Sequence, residues 1–260
     1  MSYGDGYLIR SAATTYPDGT RLDRHDHPWG QLAFCNSGVM RVISDRAAWL
    51  SPPTRAIWLP AGAPHEIVMK GEVATRFLYL APELAVGLPT SPSVIEVTPL
   101  LRELVLHILR RRMLHPDQPQ QHRLAWVLID LLIQARPIDL ALPLPADRRA
   151  LAFADHVQAE PADGRSLGDL ARRAGASLRT LQRLFPEQTG LTLEAWRQKA
   201  RLIAAVAALS TGAPVAVTAQ DCGYDSPSAF IAAFKRQFGA TPGSVSSGRL
   251  RQPAKSTVYG

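Results

Sequence analysis

Few features of this sequence belong to secreted, membrane-spanning or disulfide-bonded proteins. It contains two cysteines, Cys35 and Cys222, which lie far apart and give no disulfide framework. It has no run of about 18 apolar residues, which argues against a membrane span. The first residues also lack a basic stretch followed by an apolar one, the pattern of a secretory signal. We therefore expect a cytoplasmic protein that has no membrane partner.

The excess of basic over acidic residues is concentrated in one part of the chain. Residues 147–260 contain 15 Lys and Arg against 9 Asp and Glu, whereas residues 1–146 contain 14 against 13. A basic region beside a nearly neutral one is typical of a segment that meets a polyanion such as DNA, although the same excess also keeps a domain soluble. Charge alone does not decide between these interpretations.

The first 97 residues predict a β-rich domain. Short runs of β-branched, aromatic and other apolar residues alternate with turn signals at close intervals, the pattern of a sandwich or a small barrel. The predicted strands cover residues 31–34, 39–43, 55–59, 65–69 and 75–80.

Residues 98–145 predict a helical connector between two domains. Helices are expected over 100–114 and 122–135, followed by a proline-rich linker over 137–145. The second helix is apolar almost all round, so it must be buried. We expect the connector to form the interface of a homodimer. The alternative is that it packs within one subunit.

Residues 146–260 predict an all-α domain with two helix-turn-helix units. In the first unit a short helix begins after Ser166, Gly175 supplies a tight turn, and Ser177 precedes a second helix over 178–185. This second helix turns Arg and Gln side chains outward, and these are the side chains that pair with guanine and adenine in the major groove. The pattern predicts a helix that reads DNA bases.

The second unit repeats this pattern after a long helix predicted over 192–209. Gly223 supplies its turn, Ser226 precedes its second helix, and Gly239 ends that helix. A helical domain for protein contacts is the alternative interpretation of the two units.

The C-terminal domain resembles the AraC/XylS family of bacterial transcription regulators. The resemblance is carried by residues 166–171, 177–185, 201–205, 219–230 and 234–242. It implies double-stranded DNA as a partner, with two recognition helices set about one DNA turn apart. The DNA-contacting residues that it implies are Ser177, Arg179, Thr180, Gln182, Arg183, Ser228, Lys235 and Arg236.

The two units are not expected to contribute equally. The outward positions of the second unit that match the base readers of the first are Pro227, Ser228 and Ala232, which have little hydrogen-bonding reach. We therefore predict that the first unit reads the bases and that the second mainly holds phosphates, through Ser228, Lys235 and Arg236. Phosphate contacts position a protein on DNA without specifying its sequence.

The N-terminal domain resembles the cupins, which are small β-barrels. The motif H-x-H-x3-Q runs from His25 through His27 to Gln31, and the motif P-x-G-x2-H ends at His65. The resemblance implies that these four residues converge inside the barrel. Fold class is therefore expected to be an N-terminal cupin-like β-barrel (residues 1–97), the helical connector, and the all-α DNA-binding domain (residues 146–260).

The four converging residues are candidate ligands of a divalent transition metal. Imidazole suits Zn, Ni, Cu or Fe, but Gln31 stands where metal-binding cupins carry glutamate, which weakens the site. The alternative is an organic-ligand pocket in which the histidines form hydrogen bonds. Trp29, Phe34 and Trp58 are candidates for the lining of that effector pocket.

Together the resemblances imply a transcription regulator that binds a small-molecule effector in its barrel. Activation is the commoner behaviour in the family, and repression is the alternative. Effector binding would change the hold of the dimer on its operator or its recruitment of RNA polymerase. The alternatives are a metal-ion sensor and a cupin enzyme with a DNA-binding tail. Gln31 disfavours the enzyme, as does Glu66, which follows His65 directly and so faces the other side of a strand. We expect no catalytic residues.

Overall fold

The computed structural model describes residues 6–246 and divides the chain into two compact units. The first unit comprises residues up to 44 and residues 49–141, and the second comprises residues 45–48 and those from 142 onward. Of the helices in the described residues, none combines the length and the hydropathy of a bilayer-spanning segment.

The first part of the chain is rich in strands. The elements are β1 (Ile9–Tyr16), β2 (Arg21–His25), β3 (Gly30–Cys35), β4 (Val39–Ile43), β5 (Ala47–Ser51), β6 (Arg55–Leu59), β7 (His65–Lys70), β8 (Val73–Leu80), β9 (Ser93–Glu96), α1 (Pro99–Arg111), β10 (Met113–Leu114), α2 (Pro119–Gln134), β11 (Pro137–Ile138) and β12 (Ala141–Pro143). The larger sheet has the order β10-β1-β8-β3-β6-β9-β11, and the second sheet includes, in order, β5-β4-β7-β2. The β-rich N-terminal fold is confirmed, and so are all five predicted strands.

The two faces of the larger sheet differ in what they contact. Gln31 lies opposite Tyr79 of β8 and Leu59 of β6, so these three side chains share one face. Phe34 and Trp58 belong to the other face, which packs against α1 and α2 in a buried apolar core. The helices therefore cover one face of the sheet and leave the face of Gln31 for the functional site.

Helix α1 ends earlier than the sequence predicts. Arg112 has a φ of 66°, a left-handed conformation that stops the helical repeat. Met113 and Leu114 then pair with Arg10 and Ile9 as strand β10 instead of forming a last helical turn. The predicted linker over 137–145 also contains short strands, β11 and β12.

Helix α2 is buried within its own chain on one face only. That face is formed by Ala125, Leu128, Ile129 and Leu132. On the other face Trp126, Val127 and Ile133 are 45%, 44% and 53% exposed. Burial of this second face against another subunit, which the sequence left open, stays a prediction.

The second unit is helical, as predicted. Its helices are α3 (Arg148–Ala159), α4 (Leu167–Arg173), α5 (Leu178–Thr189), α6 (Leu193–Ser210), α7 (Val215–Asp221), α8 (Pro227–Phe238) and α9 (Pro242–Ser246). Helix α5 runs past the predicted end at Phe185, because Pro186 is tolerated inside it and Gly190 ends it in a left-handed conformation. Helix α6 carries the buried stripe at its centre, with Trp196 fully buried.

Candidate ligand site and nucleic-acid interface

Three histidines meet beside the face of Gln31. His25 ends β2 and lies opposite His65, the first residue of β7, after an irregularity in the strand pairing. His27 lies in the turn that leads to β3. The ring centroids of His25 and His65 are 4.4 Å apart, and those of His27 and His65 are 5.3 Å apart. The structure thus brings together the three histidines that the sequence motifs single out.

Backbone carbonyls fix the protonation of all three rings. The Nδ1 atoms of His25, His27 and His65 lie 2.7, 2.6 and 2.8 Å from the carbonyl oxygens of Asp23, Trp29 and Ala63. A carbonyl only accepts hydrogen bonds, so each Nδ1 carries a proton and Nε2 is the nitrogen of each ring that is left for another partner. Each histidine offers a ring nitrogen within 4.8 Å of the others. This is the ligand arrangement that transition metals favour.

His65 carries the strongest sign of a missing partner. It is 1% exposed, and its Nε2 has no hydrogen-bond partner among the described residues. Burial lowers the pKa of His65 to about 4, against the opposing effect of its hydrogen bond to Ala63, and the neighbouring His25 and His27 lower it further. The ring is therefore neutral at pH 7, with a buried lone pair that a cation or a donor group would satisfy.

Gln31 completes the cluster. Its Oε1 lies 2.9 Å from Nε2 of His27, and its Nε2 donates a long hydrogen bond of 3.5 Å to the hydroxyl of Tyr79. In a neutral His27 both atoms are acceptors, and a bound cation or a rotated amide group would relieve that conflict, whereas a protonated ring donates its Nε2–H to the amide oxygen. The donor set of three imidazoles and one amide oxygen fits a divalent transition metal.

The predicted pocket aromatics lie in different places. Trp29 is buried beside the cluster, and its ring lies 4.7 Å from the guanidinium carbon of Arg10. Phe34 and Trp58 lie on the opposite face of the sheet, in the core with α1 and α2, and the indole of Trp58 donates a hydrogen bond to the carbonyl of Pro89. The structure does not bring these two residues to the histidines.

In the helical C-terminal part of the chain, helix α5 of the first helix-turn-helix unit presents the predicted base readers to solvent. Arg179, Gln182 and Arg183 are all exposed. The guanidinium of Arg183 donates a hydrogen bond of 2.8 Å to the carboxylate of Glu187, one turn further along the helix. The pair holds the long arginine side chain along the helix surface, where exposed pairs of this kind contribute little to stability.

Ser177 and Thr180 have a structural role at the start of α5. The hydroxyl of Ser177 accepts a hydrogen bond of 3.1 Å from the backbone N–H of Thr180, and the two hydroxyls lie 2.9 Å apart. Ser226 caps α8 in the same way. Both helices therefore start at a fixed residue, which sets which side chains point outward.

Helix α8 has an outer face with few polar groups and a basic end. Ser228 is exposed near its start, and Lys235 and Arg236 are exposed in its last turn. Its inner face is a row of phenylalanines in edge-to-face contact, namely Phe230, Phe234 and Phe238. The row anchors the helix and leaves the outer face free for a partner.

Family models match both units of the chain. A model described as AraC-like ligand binding domain matches residues 9–142, and one described as helix-turn-helix domain matches residues 170–247. The chain belongs to the AraC family of transcription regulators. In this family member the ligand-binding match contains the histidine cluster, and the helix-turn-helix match contains α5 and α8. The protein is a DNA-binding transcription regulator with a ligand-binding domain.

Two relatives by sequence are HTH-type transcriptional regulators. The chain is 34% identical to the HTH-type transcriptional regulator NimR of Escherichia coli K12 over 219 residues, which are 84% of this chain and 80% of NimR. It is 38% identical to the HTH-type transcriptional regulator RipA of Corynebacterium glutamicum over 108 residues, 42% of this chain and 33% of RipA. The structure is also similar to that of ToxT from Vibrio cholerae O395, at 11% identity and a TM-score of 0.40, covering 93% of this chain and 98% of ToxT.

Sequence reasoning missed Arg10 as a neighbour of this regulator's ligand site. Arg10 lies in β1 opposite Tyr79 and is 6% exposed. Strand β1 reads Ile-Arg-Ser-Ala-Ala-Thr-Thr-Tyr and has no alternation of apolar and polar residues, so the period of a half-buried strand does not reveal it. The β-branched and aromatic residues at the end of β1 are the signal by which the sequence could have indicated a strand here.

Proposed function

We propose that a divalent transition metal bound by His25, His27, Gln31 and His65 forms part of the effector site of this regulator. The observation that carries the proposal is the set of three imidazoles whose Nδ1 atoms are held by carbonyls and which each offer one ring nitrogen within 4.8 Å of the others. Zn, Ni, Cu and Fe all accept such a set. When bound, the metal supplies a Lewis-acidic centre that a small-molecule effector can contact.

The effector enters beside the metal ligands. Trp29 and Tyr79 flank the cluster, and the ring of Tyr79 lies 5.4 Å from that of His27, edge to face. His25 is the most exposed of the three histidines, so it marks the open side of the site. Binding shifts the regulator between two states only if the effector has a different affinity for each.

A metal-ion sensor is the second candidate. The observation in its favour is that the converging nitrogens come from protein side chains alone, so that an ion needs no organic ligand to be held. An enzyme is disfavoured, because the carboxylate of Glu66, next to His65 in the sequence, accepts a hydrogen bond of 2.7 Å from Arg21. That contact directs the carboxylate of Glu66 away from the imidazoles.

The regulator acts on double-stranded DNA in the cytoplasm, as an activator. Helix α5 reads bases through Arg179, Gln182 and Arg183, while Ser228, Lys235 and Arg236 of α8 hold phosphates. We further propose that it is a homodimer whose interface includes the exposed apolar face of α2, since single subunits seldom expose such a row of large apolar side chains. RNA polymerase is a further partner of the activator.

Metal analysis of the full-length protein tests the proposal. We expect one transition-metal ion per chain and a change in operator affinity when a chelator removes it. His65→Ala and His27→Ala should each lower metal affinity more than about tenfold, because even groups that only orient a ligand contribute roughly 10–100-fold. His107→Ala is the matched control, since His107 lies on α1 and accepts a hydrogen bond from Arg111.

The outcomes separate the candidates. Metal-dependent operator binding without any organic compound favours the sensor. Equal metal content in His65→Ala and in the wild type would contradict the assigned ligands, and full operator control in metal-free protein would remove the metal from the mechanism.

A further inference from the structure

Helices α5 and α8, the second helices of the two helix-turn-helix units, correspond residue by residue. Helices α5 and α8 each have 12 residues, start after a serine cap and end at a left-handed glycine. Ser177 corresponds to Ser226 and Gly190 to Gly239, so the same offset relates every position between them. The buried positions agree with this offset, since Phe185 corresponds to Phe234 and both are fully buried.

The correspondence identifies a residue that the sequence pattern alone does not single out. Arg179 and Arg183 of α5 correspond to Ser228 and Ala232 of α8, and Gln182 corresponds to Ile231. The outward positions predicted from the sequence do not include this isoleucine. Ile231 is 38% exposed, although isoleucine is among the most often buried residues.

Ile231 lies at the centre of the outward stripe of α8. Ser228, Ile231, Ala232 and Lys235 follow the spacing of one helix face, and all four are exposed. The stripe therefore has a polar residue at its start, a cation at its end and an apolar centre. The corresponding stripe of α5, in the first helix-turn-helix unit, has the hydrogen-bonding side chains of Gln182 and Arg183 at its centre.

We propose that α8 reads thymine through its C5-methyl group, with Ile231 as the contacting side chain and Ala232 allowing close approach. This inference rests on the proposed role of α8 as a DNA-contacting helix. An isoleucine side chain has no hydrogen-bonding group, so it gains free energy in the major groove only by burying apolar surface. The thymine methyl is the apolar group that the major-groove edges of the bases present.

The same side chain disfavours the other bases. Placed against the N4 amino group of cytosine or the acceptors of guanine, it would remove water from polar atoms and give them no partner. Lys235 and Arg236 supply charge complementarity to the phosphates that flank such a contact. The second helix-turn-helix unit thus prefers thymine in addition to contacting the phosphates of the DNA backbone.

Deoxyuridine substitution isolates this contact, because it removes only the methyl group of a thymine. The full-length protein first selects its preferred duplex from a random pool. Each thymine of that duplex is then replaced in turn, and affinities are measured for wild type and Ile231→Ala. At one or two positions we expect wild type to lose about two- to tenfold in affinity, the scale of one buried methyl, and Ile231→Ala to lose less than twofold.

Control variants separate this contact from general effects. Val217→Ala changes another exposed apolar residue of the second unit, 49% exposed on α7, and should keep the wild-type profile. Ile231→Val keeps a branched apolar side chain and should retain the sensitive positions, which guards against a folding defect in the alanine variant.

Three outcomes would overturn the inference. One is an identical loss for wild type and Ile231→Ala at every substituted thymine. Another is an unchanged DNA-binding profile for Ile231→Ala together with reduced transcription in a purified system, which would assign Ile231 to a protein partner. The third is the failure to select any duplex, which would overturn the proposed function itself, whereas selection with a flat profile overturns only this inference.

Discussion

At the scale of single residues, Gln31 sets the charge of the histidine cluster. It is 1% exposed and faces His27 at 2.9 Å. A neutral amide at this position leaves the charge of a divalent ion uncompensated, whereas a carboxylate would offset half of it. In the proposed metal site, the identity of this one buried side chain would therefore determine how tightly a cation is held.

Gln31→Glu should raise metal affinity by at least about tenfold, or roughly 1.4 kcal/mol, through this added negative charge. The metal-free variant should be less stable than metal-free wild type, because a buried carboxylate without a counter-charge is unfavourable. Competition with a coloured chelator measures the affinity, and thermal unfolding with and without metal measures the stability. Unchanged affinity in this variant would place the metal elsewhere, and Gln31→Ala serves as the control for lost packing.

The histidine motifs show what residue spacing can and cannot predict. The cupin resemblance correctly joined His25, His27 and His65, which a short turn and one strand pair bring together. Phe34 was open to a better prediction, since it follows Gln31 by three residues and a strand period of two places it on the opposite face. Arg10 and Tyr79 were different, because pairing between distant strands puts Tyr79 opposite Gln31 and Arg10 opposite Tyr79.

At the scale of elements, one aspartate holds the loop between α3 and α4. The side chain of Asp163, 7% exposed, accepts hydrogen bonds from Nε of Arg165 at 2.9 Å and from Nε2 of His156 at 2.7 Å. Its backbone carbonyl accepts from Arg197 and Arg201 of α6. These contacts fix the entry of the first helix-turn-helix unit, and they explain why two arginines of α6 face inward.

Asp163→Asn should lower the free energy of unfolding by about 1–3 kcal/mol, the scale of hydrogen bonds to a charged group. The Arg165 guanidinium holds the pKa of Asp163 well below its usual range. A carboxyl whose pKa is lowered by folding contributes stability above its unfolded pKa of about 4, and the contribution is lost as pH falls toward the folded pKa. The difference between wild type and variant should therefore shrink below pH 4.

Urea unfolding of the full chain at pH 7 and at pH 3, followed by far-ultraviolet circular dichroism, checks this expectation. Asp221→Asn, at the exposed end of α7, is the control that removes a charge without removing the loop contacts. A difference between Asp163→Asn and wild type that stays constant with pH would refute the electrostatic explanation.

The sequence predicted the start of a helix correctly where an N-cap residue determines it. Ser166, Ser177 and Ser226 each cap the predicted helix. The end of α5 was missed because a proline usually stops a helix, whereas Pro186 is accommodated inside this one. The end of α1 at Arg112 was missed because a left-handed arginine has no local sequence signal, and pairing of β10 with β1 determines it.

At the scale of the whole molecule, the change in the sequence from short strand-like runs to helical periodicity correctly separated a β-rich part from a helical one. The grouping of α1 and α2 with the first unit could not be predicted from periodicity, because a largely apolar helix packs equally well on its own sheet or on a second subunit. The structure packs one face of α2 in the apolar core with the sheet. The exposed apolar residues of its other face are what the sequence left open and what the homodimer proposal addresses.

In the proposed function, the two helix-turn-helix units divide the recognition of DNA between them. Helix α5 would supply hydrogen-bond readout, and α8 phosphate contacts and an apolar face. This division predicts different responses to salt and to base changes, because phosphate contacts release counterions and base contacts do not. Two exposed side chains test it, Arg183 at the centre of the outward stripe of α5 and Lys235 at the end of the stripe of α8.

The most direct test compares Arg183→Ala with Lys235→Ala on the selected duplex and on a random duplex, at several salt concentrations. Arg183→Ala should cost roughly 1–3 kcal/mol on the selected duplex and much less on the random one. Lys235→Ala should weaken binding to both duplexes alike and reduce the salt slope by about one. Equal losses on both duplexes for Arg183→Ala, or relaxed sequence preference for Lys235→Ala, would contradict the account.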